Sequence, residues 1–198
     1  ALSFPATLTL ARRRGELMKE AGEKSTGGMV AVLGLDIPTL DRLCAEASAP
    51  GEIVQVANDN CPGQGVVSGA GAALRRFLPL AQAAGARRVV PLAVSIAAHS
   101  PLMLHAQVAF NQAVEQAGLA KPLIPVIGNV TAKPLTHVAH LEDDLKAQLT
   151  SRVRWTESIQ YMAAQGVTTF LELGAGSVLT GLLKRIDREV QGFALGNP

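Results

Sequence analysis

Ile53-Val54-Gln55-Val56-Ala57-Asn58-Asp59-Asn60-Cys61-Pro62-Gly63-Gln64-Gly65-Val66-Val67-Ser68 contains two short β-like runs, residues 53–57 and 65–68, on either side of Asn60-Cys61-Pro62-Gly63. Proline followed by glycine between apolar runs is a strong turn signal, so two strands joined by a tight turn are predicted here. Moving outward, residues 29–33 (Met-Val-Ala-Val-Leu) read as another strand, and Asp36 is placed to cap a helix carrying Leu40, Leu43, Cys44 and Ala47 on one face. Leu74, Phe77, Leu78 and Ala81 have helical spacing, and residues 88–94 close the series as a strand. Strand, helix, strand, strand, helix, strand is the order of a ferredoxin-like split βαβ unit, so residues 25–94 are predicted to form a small inserted subdomain.

The flanks have a different character. Ser3 and Pro5 mark a helix start, with Leu8, Ala11, Leu17 and Met18 as its apolar face up to about Glu20 and a break signal at Gly22. Beyond residue 94, Pro101, Leu102, Ala106, Ala109, Phe110, Ala113 and Ala117 form one stripe of a longer helix capped by Ser100. Residues 123–127 then read as a buried strand, 134–140 as a loop, and 141–149 and 155–164 as helices, the second ended by Gly166. A largely apolar strand at 168–173 leads through Gly174-Ala175-Gly176 into a helix at 178–186 that finishes on Lys184 and Arg185. Alternation of this kind implies an α/β protein with a mostly parallel sheet flanked by helices. Its large subdomain is assigned to residues 1–24 and 95–198.

Composition narrows the function classes. The 198 residues are 48% hydrophobic and 17% charged, the signature of a globular chain with a sizeable core. A net charge of +2 and 4% aromatic residues leave neither the basic stripe nor the stacking platform of a nucleic-acid binder. Two cysteines, Cys44 and Cys61, fit neither a disulfide framework nor a zinc spacing, which favours a cytoplasmic setting and implies no metal. No run is long enough to span a bilayer, and residues 1–10 lack the basic region of a signal peptide. The chain starts without methionine, directly in a helical pattern, so a processed or incomplete product is expected.

His99 is the most informative single residue. Lying where a strand gives way to a helix, it faces the partial positive charge of a helix N-terminus, which disfavours the imidazolium and suits a general base. Capping or packing is the competing reading for a lone histidine there. His105 falls within a helix, and His137 and His140 in a polar loop. Arg14, in Arg12-Arg13-Arg14-Gly15-Glu16, can offer a bidentate fork to a carboxylate, or can belong to an exposed face paired with Glu16 and Glu20. The Gly174-Ala175-Gly176-Ser177 turn has a geometry able to receive phosphate, but Leu179 replaces the third glycine of a dinucleotide fingerprint and no P-loop lysine follows, so a plain turn is expected. No serine lies in a Gly-x-Ser-x-Gly elbow.

Four stretches taken together resemble the malonyl-CoA:acyl-carrier-protein transacylase family, over the whole chain. They are Arg14-Gly15-Glu16-Leu17-Met18; Asn58-Asp59-Asn60-Cys61-Pro62-Gly63-Gln64; residues 95–103 around His99; and Gln148 with Trp155-Thr156-Glu157-Ser158 and residues 172–182. The resemblance implies an α/β-hydrolase-like acyltransferase core, incomplete here, and a ping-pong reaction. In it a serine takes malonyl from malonyl-CoA and passes it to the phosphopantetheine thiol of acyl carrier protein, for fatty-acid synthesis. It implies His99 as base, the Gln148 carbonyl as its orienting group, and Arg14 and Asn60 as substrate-binding residues. It implies malonyl-CoA as substrate with no bound cofactor, acyl carrier protein as partner, and no nucleic acid or membrane. The family's oxyanion loop and Gly-His-Ser-x-Gly elbow lie upstream of the Arg-Gly helix, so a missing N-terminal part is expected to hold the nucleophile. Ala98 stands where the family more often has serine or phenylalanine, which bears on acyl preference. The alternative is a non-catalytic truncated relative that binds acyl carrier protein; a nucleotide-binding α/β domain lacks its phosphate motifs.

Overall fold

The computed structural model describes residues 1–24 and 27–196. Helix α1 (Phe4–Lys24) starts at Ser3, whose hydroxyl accepts from the Ala6 amide at 3.3 Å. Strand β1 (Gly27–Leu33) leads to α2 (Ile37–Ala47), where the Asp36 carboxylate accepts from the Thr39 amide and Pro38 sits in the first turn, a pairing that starts a helix abruptly. Strands β2 (Val54–Cys61) and β3 (Gln64–Ala70) form the hairpin expected around Pro62-Gly63. Gly63 turns the chain at φ +73, a conformation open to glycine, and its carbonyl accepts from Gly34 at 2.8 Å. Helix α3 (Gly71–Ala83) and β4 (Arg88–Pro91) follow.

The strands of this region join in the order β4-β1-β3-β2, all antiparallel. Period-two patterning puts Val30 and Val32 of β1, Val54 and Val56 of β2 and Val67 of β3 in one core with Leu40, Leu43, Cys44 and Ala47 of α2 and Ala73, Leu74, Phe77 and Ala81 of α3. At Gly69 a Cβ would stand 2.2 Å from the Ile53 carbonyl oxygen and 2.5 Å from Val54 Cα, backbone atoms fixed by the ladder. Gly69→Ala is therefore expected to destabilise the fold by about 1–3 kcal/mol, as overpacking does, read as a lower urea midpoint at unchanged slope.

The remainder runs through a one-turn 3₁₀ helix (Pro101–Met103), α4 (Leu104–Gln116), β5 (Val126–Ile127), β6 (Pro134–Leu135), α5 (Val138–Ala147), β7 (Val153–Arg154), α6 (Trp155–Ala164), β8 (Thr169–Leu173), α7 (Val178–Ile186) and β9 (Gln191–Leu195). A second core joins Leu10 and Leu17 of α1 to Met103, to Ala106, Phe110 and Val114 of α4, and to Leu149.

Several expectations are corrected. The sheet is mixed rather than mostly parallel: the hairpin and the β1 pairings make its body antiparallel, and β7 adds a short parallel edge beside β2. The longer parallel pairing is β8 with β9, a separate two-stranded sheet. Residues 123–127 are not a buried strand: only Val126 and Ile127 pair, and Leu123 is 99% exposed. Residues 134–140 are not a loop, because Pro134-Leu135 pairs with β5 and α5 begins at Val138. Gly22 does not end α1; it is buried where a Cβ would meet Ile96 Cγ2 at 2.3 Å, so close packing against the chain after β4 requires it. The expected subdomain boundary at residue 25 lies outside the described residues.

Candidate active site

His99 lies in the connection between β4 and the 3₁₀ helix, with φ +59, a left-handed backbone that costs a non-glycine residue about 1–3 kcal/mol in a site that must hold it in place. Gln55 of β2 supplies the hold: its Nε2 donates to the His99 carbonyl at 2.7 Å and to the Thr150 carbonyl at 3.1 Å. Ser100 turns the chain at once into the next helix, its hydroxyl donating to the Ala97 carbonyl at 2.7 Å and accepting from the Leu102 amide.

The imidazole is equally constrained. His99 Nδ1 is 2.9 Å from the Gln148 carbonyl oxygen and 3.1 Å from that of Ser151. Carbonyls only accept, so the proton sits on Nδ1 and the lone pair on Nε2, the form a general base needs. Burial pulls the ring's pKa below the usual histidine value, the Gln148 bond opposes this, and the charge of Arg14 lowers it again. The balance favours the neutral ring. The direction agrees with the sequence reading, but its main cause is desolvation rather than a helix terminus.

Arg14 stands on the half-buried side of α1, whereas Arg12 and Arg13 share Glu16 at 2.9 and 3.6 Å on the exposed side. The paired-surface reading thus fits Arg12 and Arg13. Among the described residues Arg14 makes no ion pair, and its field reaches His99. A desolvated guanidinium stays charged and is suited to a carboxylate.

Asn60 is placed differently. It lies five residues along β2 from Gln55, roughly 16 Å at strand rise, and shares no hydrogen bond with the His99 cluster among the described residues. Its neighbours in the motif are fastenings: Asp59 Oδ1 accepts from Thr156 Oγ1 at 2.5 Å, and Arg185 donates to Gln64 and to the Pro62 carbonyl. These bonds tie the hairpin turn to α6 and α7.

The turn at residues 174–177 is filled by the chain itself. The Glu172 carboxylate accepts from the amides of Leu179 at 3.0 Å and Thr180 at 2.8 Å and from the Thr180 hydroxyl at 2.8 Å, bonds that lower its pKa. An internal carboxylate thus occupies the end of α7 where phosphate would go. His105 is exposed; His137 and His140 meet edge to face with their rings 5.2 Å apart, at the start of α5 and away from the base. Burial pushes the Cys44 thiol up to about 12 and also raises Cys61, so neither is a thiolate near neutrality. Among the described residues no hydroxyl or thiol hydrogen-bonds His99 Nε2.

Gln55, Ser151, Asn129 and Asp144 also belong to this site and were missed in the sequence. Gln55 gives a faint signal as the polar member of an apolar strand run; Asp144 is hidden in Glu142-Asp143-Asp144, which reads as a solvated face although Asp144 is buried. A groove of about 500 Å³ opens beside Gln55, lined also by Asp41, Val56, Val130, Arg152 and Arg154. A larger one of about 640 Å³, on α1 and α4, touches neither His99 nor Arg14.

A family profile described as "Acyl transferase domain" matches residues 1–194. The malonyl CoA-acyl carrier protein transacylase of Bacillus subtilis (strain 168) is 40% identical over 198 residues, 100% of this chain and 62% of that protein. The crystal structure of an acyl carrier protein S-malonyltransferase from Vibrio cholerae superposes with a TM-score of 0.95 at 40% identity, over 100% of this chain and 64% of that one. A type II PKS acyl-carrier protein in complex with its malonyl-transacylase gives 0.94 at 38% identity, over 100% of this chain and 63% of the matched one. The chain thus spans a little under two thirds of the length of these relatives.

Proposed function

Because the chain belongs to the acyl transferase domain family, we propose that it is the major part of an acyl-carrier-protein S-malonyltransferase, moving malonyl from malonyl-CoA to the phosphopantetheine thiol of acyl carrier protein. The observation that carries this reading is the half-buried His99, held through Nδ1 by two carbonyls, beside Arg14, which makes no ion pair among the described residues.

In the first half-reaction His99 Nε2 takes the proton of a serine hydroxyl as that oxygen attacks the thioester carbonyl, and returns it to the departing coenzyme A sulfur. In the second, the same nitrogen takes the pantetheine thiol proton and gives it back to the serine oxygen. The Gln148 carbonyl does the orienting work of a triad carboxylate, and Arg14 pairs with the free malonyl carboxylate. Asn60 is assigned to the extended pantetheine arm of the substrate, given its distance from the base. The serine and oxyanion donors are assigned to residues outside these 198, since no Gly-x-Ser-x-Gly occurs within them.

The same reading covers architecture. The antiparallel order β4-β1-β3-β2 under α2 and α3 supports a ferredoxin-like small subdomain at residues 25–94. Residues 1–24 and 95–198 would be the incomplete α/β-hydrolase-like part, with β8 and β9 from its sheet. No helix among the described residues is long and apolar enough to cross a membrane; a cytoplasmic location in fatty-acid synthesis is part of the proposal.

A carrier-protein acylation assay tests it. The 198 residues alone are expected to transfer no malonyl, and a chain extended upstream to include a Gly-x-Ser-x-Gly elbow is expected to do so. Turnover by the 198 residues that His99→Ala abolishes would point to another nucleophile; an inactive extended chain that still binds carrier protein would favour a docking module.

A further inference from the structure

We propose that Asp144 is a positioning residue for the base, locking the Gln148 carbonyl that orients His99. Gln148 follows the last residue of α5, and the carbonyls of a helix's last turn have no partner within the helix. Such a carbonyl can serve His99, but its direction depends on whatever fixes the helix end. Here a clamp fixes it. Asp144, one turn earlier on the same face and 7% exposed, accepts from Gln148 Nε2 at 3.3 Å through Oδ2 and from the Val130 amide at 3.0 Å through Oδ1. Asn129 closes the loop by donating from Nδ2 to Gln148 Oε1 at 3.3 Å, and its own carbonyl accepts from the Arg154 amide at 2.9 Å.

Both ends of the Gln148 side chain are thus held while its backbone oxygen accepts a hydrogen bond from His99 Nδ1 at 2.9 Å. The surroundings are shaped around the carboxylate: at Gly128 a Cβ would lie 2.4 Å from Asp144 Oδ1. A buried carboxylate with this set of donors is an expensive choice unless its bonds are kept. Merely closing the loop over α5 would use the Val130 bond; the Gln148 bond is the one that reaches the base.

The inference rests on His99 being the base, so its test reads the imidazole and not turnover. In the full chain with ¹⁵N-labelled histidine, the ring nitrogen shifts report the tautomer, with exposed His105 as internal reference. His99 is expected wholly in the Nδ1–H form. Asp144→Asn, which places an amide against the Gln148 amide, and Asp144→Ala are expected to move it at least halfway toward the His105 pattern, with alanine the larger. Asp143→Ala, at the exposed neighbour, is expected to leave it unchanged. Folded Asp144 variants with an unaltered His99 tautomer would overturn the proposal, as would an equal shift in Asp143→Ala. Where a position-144 variant does not fold, Gln148→Ala decides, because it keeps the carbonyl and removes only the clamp: an unchanged tautomer there overturns it too. An unmutated extended chain that shows this tautomer coupling but transfers no malonyl would count against the malonyltransferase reading and leave this one standing.

Discussion

His99→Ala, in a chain extended to include the nucleophile, is expected to lower malonyl transfer by about three to four orders of magnitude, the upper range for loss of a general base. In the proposed mechanism both half-reactions use the same Nε2 lone pair, so acyl-enzyme formation and transfer to carrier protein should slow together. A burst of acyl-enzyme followed by stalled transfer would contradict that. The oxyanion donors and substrate contacts would survive, which leaves a residual rate above the uncatalysed one. His99→Gln is a sharper version, since it keeps an amide able to reach the two carbonyls but offers no base. Rapid-quench measurement of each half-reaction distinguishes these outcomes.

Arg14→Ala is expected to cost malonyl transfer about 3–5 kcal/mol, roughly two to four orders of magnitude in kcat/KM, the usual penalty for leaving a desolvated charge without its partner. Acetyl transfer should fall far less, because an acetyl group brings no carboxylate to the guanidinium. Competition between malonyl-CoA and acetyl-CoA gives the ratio directly, and equal losses would remove Arg14 from the clamp. A pH effect accompanies it. Arg14 lowers the His99 pKa by its charge, so its removal should raise that pKa and shift the acid limb of kcat/KM to higher pH. In wild type the neutral base is expected to persist below the ordinary histidine value, with malonyl transfer falling only as pH drops through the lowered pKa.

The sequence made the small antiparallel unit legible because its signals are local. A proline-glycine turn, an Asp36 cap and alternating valines each act within a few residues, and the β2–β3 hairpin and the start of α2 followed from them. Where the reading failed, the cause was distant. Residues 123–127 have the composition of a buried strand, but burial depends on neighbours, and Leu123 lies open. Gly22 reads as a break until Ile96 packs against it. At the site, His99 could be singled out by its place between a strand and a helix, whereas Gln148 was picked out, and Arg14 separated from its neighbours, only through family resemblance, since periodicity treats Arg12, Arg13 and Arg14 alike. Gln55 and Asp144 carry no motif at all. Their roles arise from contacts to His99 and Val130, 44 and 14 residues away in sequence, which no local pattern encodes.

Gln55 gives the site a mechanical property. It grows from the antiparallel sheet, while the two carbonyls it grips, those of His99 and Thr150, lie outside that sheet. One amide group therefore links β2 to two segments distant from it in sequence. Tilting the sheet would tug on the peptide of the base and on the segment that carries its orienting carbonyls at the same time. The backbone position of the base is thus tied to a strand of the small sheet, so that loss of the Gln55 amide would free both segments at once.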